Sequence, residues 1–196
     1  GYDDQGYIYN LLVWTGPEYD IRDYRDYWAT PEEKQNWMRD SWYDNPYLMA
    51  YEKINRRDNS KYNGMLNLTY EIKPWLKAIV RGGFDNIINS TKRHAPIGIN
   101  ATRDWGNTNK GYYNEKTEET FTANGDFILT AQGKIKKFTV DGLLGGSIYY
   151  YRNKYMDAST KNGITVPGFY SLKASVASPT IDSYLANKQV NSLYGK

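Results

Sequence analysis

Four stretches of the chain alternate between apolar and polar side chains, the pattern of β-strands with one apolar and one polar face. They cover residues 66–72, 76–85, 120–130 and 138–150. A strand over the last of these, at ~3.3 Å per residue and tilted about 45°, would rise roughly 28 Å. That rise is close to the ~25 Å apolar band of an outer-membrane β-barrel. The pattern therefore predicts antiparallel strands of membrane height.

The connections between these strands are expected to be short at one end and long at the other. Tight turns are predicted at Lys73–Trp75 and at Ala131–Lys134, where Pro74 and Gly133 favour turns. Long loops are predicted over about 17–61, 86–116 and 152–196, and outer-membrane barrels have this division, with the long loops outside the cell. A soluble antiparallel sheet with one face on a core gives the same alternation, so that interpretation stays open.

The expected fold is all-β, a fragment of a large antiparallel transmembrane β-barrel whose long extracellular loops carry a short helix. A fifth strand is predicted from Tyr7 to Trp14, and the whole chain, 1–196, is expected to be part of one barrel domain. Since the smallest membrane barrels have about eight strands, the remaining strands are expected from polypeptide outside this sequence.

One helix is predicted inside the first long loop. Thr30 is a helix-capping residue, Pro31 suits the first helical position, and Glu33 completes a capping box. The helix is expected to continue to about Arg39 or Trp42.

Two sets of side chains are candidates for function. The chain has 20 Tyr and 6 Trp, more than a core of this size needs, and many lie in loop-like sequence. We predict contact with a ligand or a partner protein for some of these loop aromatics, with packing of the loop as the alternative: Trp28, Trp37, Trp42, Tyr43 and Tyr47. The polar positions of the strands are predicted to line the barrel lumen: Asn67, Arg81, Asp85, Asn124, Asp126 and Asp141.

The composition argues against several other functions. The chain has no Cys, so it has neither a disulfide framework nor Cys-based chemistry. Its net charge of +3 is too small to indicate nucleic acid as a partner. His94 has no nucleophile in a recognisable motif, and the adjacent Glu118 and Glu119 would point to opposite faces of a strand. We expect no enzyme activity, no cofactor and no metal site.

Ordered landmarks along nearly the whole chain resemble the barrel region of SusC/RagA-type TonB-dependent outer-membrane transporters. The first are an Asn-Pro-Tyr loop, a strand with Tyr-x-Ile before a turn, and a strand that ends in Gly-x-Asp. The stretches that carry the resemblance are Asp44–Tyr47, Tyr51–Glu52, Arg56–Asp58, Tyr62–Leu76, Arg81–Asp85, Asn124–Phe127, Gly142–Gly146, Val166–Leu172 and Asn191–Gly195.

The resemblance implies a 22-stranded barrel with an N-terminal plug domain, most of which would lie outside this sequence. It implies a bacterial outer-membrane protein that contacts lipid, engages TonB and imports oligosaccharide or peptide nutrients. A SusD-like lipoprotein would close the top as a lid. A soluble, aromatic-rich β-sandwich that binds carbohydrate is the alternative function, because it would use the same Trp and Tyr residues.

Overall fold

The computed structural model describes residues 6–38, 43–100 and 105–196 and is mostly β-strand. The chain divides into two compact units, each made of three segments. We call the described parts of Gly1–Asp58, Ser90–Thr117 and Met156–Asp182 the core unit. Asn59–Asn89, Glu118–Tyr155 and Ser183–Lys196 form the sheet unit.

Within these described ranges, five long strands form one antiparallel sheet whose order follows the chain, and two short strands form a second sheet. The short strands are β1 (Trp28–Thr30) and β2 (Lys34–Gln35). The long strands are β3 (Ile54–Lys73), β4 (Leu76–Ile97), β5 (Lys110–Ile135), β6 (Phe138–Ile164) and β7 (Ser175–Gly195). All four predicted strand stretches lie within β3 to β6, and β3 and β7 are the edges of the sheet.

The described residues of the core unit form two α-helices. They are α1 (Gly6–Trp14) and α2 (Pro46–Tyr51). The second begins as its sequence requires: the side chain of Asn45 accepts a hydrogen bond from the Tyr47 backbone N–H at 2.8 Å, and Pro46 occupies the first turn. Among the described residues, no helix is both long and apolar enough to cross a membrane.

The prediction of a strand from Tyr7 to Trp14 is wrong, because this segment is helix α1. Its run of apolar residues has no clear period of two, and a short apolar run does not separate a strand from a helix. Packing decides the outcome here: α1 lies against α2, and the Asn10 side chain is buried, with its amide nitrogen 3.6 Å from the sulfur of Met49.

The predicted helix from Thr30 is also wrong over the described residues, which form the β1–β2 hairpin there. The Glu33 backbone N–H donates to the Thr30 carbonyl at 3.1 Å, closing a four-residue turn. Pro31 suits the second position of such a turn, and Glu32 takes the positive φ, 59°, that a type II turn requires at the third. Trp42, the far limit of the prediction, lies outside the described residues.

The long strands extend much farther than predicted, so the loops expected over 86–116 and 152–196 are wrong, and the first long loop ends at residue 53 rather than at about 61. Strand β3 already begins at Ile54, only residues 98–109 join β4 to β5, and β7 occupies most of 152–196 together with the end of β6. The turn at Lys73–Trp75 is confirmed. The turn predicted at Ala131–Lys134 lies instead at Lys136 and Lys137, where Lys136 has a φ of 56°, and Gly133 is inside β5.

Buried apolar side chains are concentrated in the core unit. The buried hydrophobic residues there are Trp37, Tyr43, Leu48, Met49, Ala95, Ile99, Trp105, Tyr112, Tyr113, Ala158, Ile164 and Ala174. In the described part of the sheet unit, Ile128 is the one buried hydrophobic residue with a large side chain. The two units therefore differ in what stabilises them.

Candidate functional site

The sheet unit presents an exposed apolar face. Its side chains alternate with polar ones along β3 to β6, and each is between 44% and 62% exposed. We define the apolar face by Leu66, Leu68, Val80, Phe84, Phe127, Leu144 and Ile148. Leu193 of β7 joins it, because a Cβ placed on Gly146 would lie 3.2 Å from the Leu193 side chain.

A row of aromatic rings crosses the apolar face. The ring of Phe84 on β4 stacks on that of Phe121 on β5, with 6.4 Å between their centres. The Phe121 ring is 6.1 Å from that of Tyr150 on β6. Aromatic residues at one level on neighbouring strands form the girdles of membrane barrels. We call these three residues the aromatic row.

Five of the six residues predicted to line a lumen share one depression in the sheet unit. Asn67, Arg81, Asp85, Asn124 and Asp126 line a depression of about 440 Å³. The Arg81 guanidinium lies 3.5 Å from the Asp126 carboxylate, and the Lys61 ammonium lies 3.8 Å from that of Asp85. The sheet thus places opposite charges on neighbouring strands, where cross-strand pairing stabilises it.

Asp141, the sixth predicted residue, lines a separate depression of about 440 Å³. Lys77, Thr130 and Gln132 line the same depression. The polar positions of the sheet unit thus form two concave areas, one of them near the turn between β3 and β4. Neither is an enclosed chamber that would sequester a reaction from water.

The core unit is organised around the buried carboxylate of Asp44. Its Oδ2 accepts from the Lys53 ammonium at 3.0 Å, and both side chains are almost completely buried. Its Oδ1 accepts from the Gln35 amide and the Asn100 backbone N–H, both at 2.7 Å. The Gln35 amide also donates to the Gly98 carbonyl at 2.9 Å. We call Asp44, Lys53, Gln35 and Asn100 the Asp44 network.

The predicted contact aromatics lie in different environments. Trp37 and Tyr43 are buried, and the Trp37 ring meets that of Tyr43 edge to face at 5.6 Å. Trp28 is half-buried and donates its indole N–H to Glu52 at 3.1 Å. Tyr47 is half-buried on α2. Trp42 lies outside the described residues, and contact with a ligand or lid stays a prediction for all five.

An exposed tyrosine that sequence reasoning missed lies beside them. Tyr51 is 65% exposed, and its ring stacks between those of Tyr47 and Tyr27, with 6.4 Å from its centre to each. A hydrogen bond to Glu52, followed by burial, raises the pKa of Tyr27 to about 12. The helix signal Asn45-Pro46 could have revealed Tyr51, because it places Tyr47 and Tyr51 four residues apart on one helix face.

His94 stacks on Tyr170, with 4.1 Å between ring centres. Burial lowers the pKa of His94 below its usual 6.5. Burial also raises the pKa of Tyr170 to about 12, with smaller contributions from Glu52 and Glu32. A neutral imidazole packed on a neutral phenol is a structural contact. No group of His, Asp and Glu residues within the described part of the chain is placed to hold a metal ion.

Comparison of the chain with protein-family models gives no match, and comparison with curated protein sequences gives none either.

Proposed function

We propose that this chain is part of the transmembrane β-barrel of a bacterial outer-membrane, TonB-dependent transporter. In this proposal the apolar face contacts lipid and the polar side of the same strands lines the lumen. The two edge strands, β3 and β7, pair with further strands of the same barrel.

The observation that carries the proposal is the exposed apolar face of the sheet unit. Seven large apolar side chains alternate with polar ones over four neighbouring strands, and each is more than two fifths exposed. Leaving such an area in water is unfavourable by about 25 cal/mol per Å² of apolar surface. Lipid would cover all of it without requiring another protein layer.

Two further features support a membrane location. The polar side of the same strands carries ion pairs and amides, as the lumen of a transporter barrel requires. The aromatic row crosses three adjacent strands at one level, as girdles do at membrane interfaces. A sheet packed into a soluble sandwich would bury the apolar side chains against a second sheet.

The transported substrate and the partners follow from the resemblance alone. The proposal includes a plug domain, TonB and a SusD-like lipoprotein lid, with an oligosaccharide or peptide as the imported ligand. The stacked Tyr47, Tyr51 and Tyr27 of the core unit suit either ligand, because aromatic faces pack on sugar rings and on apolar side chains alike.

Spin labels on the complete transporter in lipid vesicles test the proposal. Labels at Leu68 and Leu144 should collide with oxygen dissolved in the lipid, while labels at Asn67 and Asp141 should collide with a water-soluble nickel complex. The matched pair Leu68 and Asn67 controls for strand position, because adjacent residues point to opposite faces.

The opposite result would favour the soluble carbohydrate-binding sandwich. In that case labels at Leu68 and Leu144 would report a packed protein interior shielded from both reagents, and the chain would remain monomeric in water without detergent.

A further inference from the structure

We propose that Arg152 and Lys154 form a binding site for the phosphate of an anionic lipid headgroup on the outer surface of the barrel. The inference rests on the proposed function, because it takes the apolar face as the lipid-facing surface.

Both cations share a strand face with the apolar side chains. Ile148, Tyr150, Arg152 and Lys154 are alternate residues of β6, so their side chains leave the sheet on one side. The guanidinium of Arg152 lies over the ring of Phe121, 5.7 Å from its centre. The two cations therefore follow directly on the aromatic row.

Their depth fits the headgroup layer. With the aromatic row at the membrane interface, each pair of residues along a strand tilted about 45° adds roughly 5 Å of height. Arg152 would then lie about 5 Å and Lys154 about 9 Å beyond Tyr150. The polar layer on each side of the hydrocarbon core is about 5–8 Å thick, so Arg152 would lie within this layer and Lys154 at its outer edge.

The charge balance leaves this site positive. Arg152 and Lys154 both contact Glu119, at 2.9 Å and 2.8 Å, so two cations share one carboxylate. The Glu119 side chain is 15% exposed, whereas Arg152 and Lys154 are 38% and 53% exposed. The carboxylate thus holds the two cations together while their outer sides stay open to a phosphate.

Lipid selectivity of the complete transporter measures the inference. In bilayers of phosphatidylcholine, spin-labelled phosphatidylglycerol should associate with the protein more strongly than spin-labelled phosphatidylcholine. The double variant Arg152→Gln, Lys154→Gln should lower this selectivity about fivefold or more. One basic residue near an anionic lipid surface increases the affinity about fivefold, and this variant removes two. The variant Glu119→Gln should raise the selectivity, because the carboxylate that partly neutralises Arg152 and Lys154 is then absent.

Lys77→Gln is the matched control. Lys77 also pairs with a glutamate in the sheet unit, at 2.7 Å from Glu71. It lines the same depression as Asp141, so its loss should leave lipid selectivity unchanged. Heat-dependent migration in gel electrophoresis shows whether each variant is folded.

Three results would overturn the inference. The first is equal lipid selectivity in the wild type and the folded double variant, and the second is a loss with Lys77→Gln as large as with the double variant. The third is a loss of lipid selectivity when inorganic phosphate is added but not when chloride is added at the same ionic strength. The last identifies a site for free anions. A label at Leu144 separates failure of this inference from failure of the proposed function. If that label meets lipid while selectivity is absent, only the headgroup site is wrong.

Discussion

The core unit and the sheet unit contain parts of the same five strands, yet they bury their side chains in different ways. In the core unit, Leu48, Ala95, Ile99, Trp105 and Tyr112 form a packed cluster, and Tyr27 and Trp28 lie against it. The sheet unit has ion pairs and ring contacts between strands but almost no buried apolar side chains among its described residues. One unit carries its own apolar interior, and the other exposes its apolar side chains.

The difference shows that strand pairing by itself does not indicate a core. A β-ladder satisfies the backbone wherever it forms, but stability in water comes mainly from apolar burial. Equivalent substitutions in the two units should therefore have unequal effects on stability, and the following predictions test that contrast in the complete protein.

The largest effect is expected from Lys53→Met in the core unit. This change leaves the buried Asp44 carboxylate without its ion-pair partner, which costs about 3–5 kcal/mol. Chemical denaturation in detergent, followed by tryptophan fluorescence, measures the loss.

The matched control is Lys61→Met in the sheet unit, where both partners of the pair with Asp85 are more than half exposed. We expect a loss of about 0–1 kcal/mol. Equal losses for the two variants would show that the Asp44 network is no more protected from solvent than a surface pair.

A second pair of variants compares apolar side chains. Leu48→Ala should cost about 2–5 kcal/mol, because Leu48 is completely buried in the core unit. Leu68→Ala should cost under about 1 kcal/mol in detergent, because the 56% exposed side chain leaves no cavity. Thermal unfolding of both variants measures the difference, and a larger shift in Tm for Leu68→Ala would reverse the comparison.

A charge on the apolar face should destabilise the protein only in a membrane. Leu144 is midway between Phe138 and Tyr150 on β6, so Leu144→Arg should cost about 2–4 kcal/mol in lipid vesicles. Ser147→Arg, on the opposite side of the same strand, should cost much less. Folding into vesicles measures both, and similar losses for the two variants would argue against a lipid-facing surface.

The smallest effect is a dependence on pH in the core unit. The folded state lowers the pKa of His94 below 6.5, so the unfolded state takes up a proton first as the pH falls. Stability should thus be constant above about pH 6.5 and decline from there through the folded pKa of His94. His94 is the one histidine of the chain, so His94→Phe should remove this slope. If the dependence of stability on pH is unchanged in that variant, it arises from carboxylates instead of His94.

Sequence reasoning located strands only where one parity is apolar. Leu66 to Ile72 gives a clear period of two, whereas Ile54 to Asn63, at the other end of β3, is polar at most positions on both faces. Backbone pairing with β4 forms that part of the strand, and no local pattern reports it. The turn at Lys136 was missed for a similar reason, because a lysine with positive φ is uncommon.

The candidate sites also divide into those that a local pattern predicts and those that depend on contacts between distant residues. Alternation placed Asn67, Arg81 and Asp126 on one side, and the structure gathers them in one depression. The same reasoning could not find the Asp44 network, because Asn100 is 56 residues away from Asp44 along the chain. Burial of Trp37 and Tyr43 likewise depends on contacts that composition does not encode.

The Asp44 network also limits how segments of this chain could be exchanged with those of other β-sheet proteins. Gln35 comes from the β1–β2 hairpin, Lys53 follows α2, and Gly98 and Asn100 belong to the β4–β5 connection. Grafting any one of these segments alone would leave a buried carboxylate or amide in the recipient without its hydrogen-bond partners. The segments that form the network can therefore be transferred only together, and a chimaera should fold only when both 35–53 and 98–100 are moved.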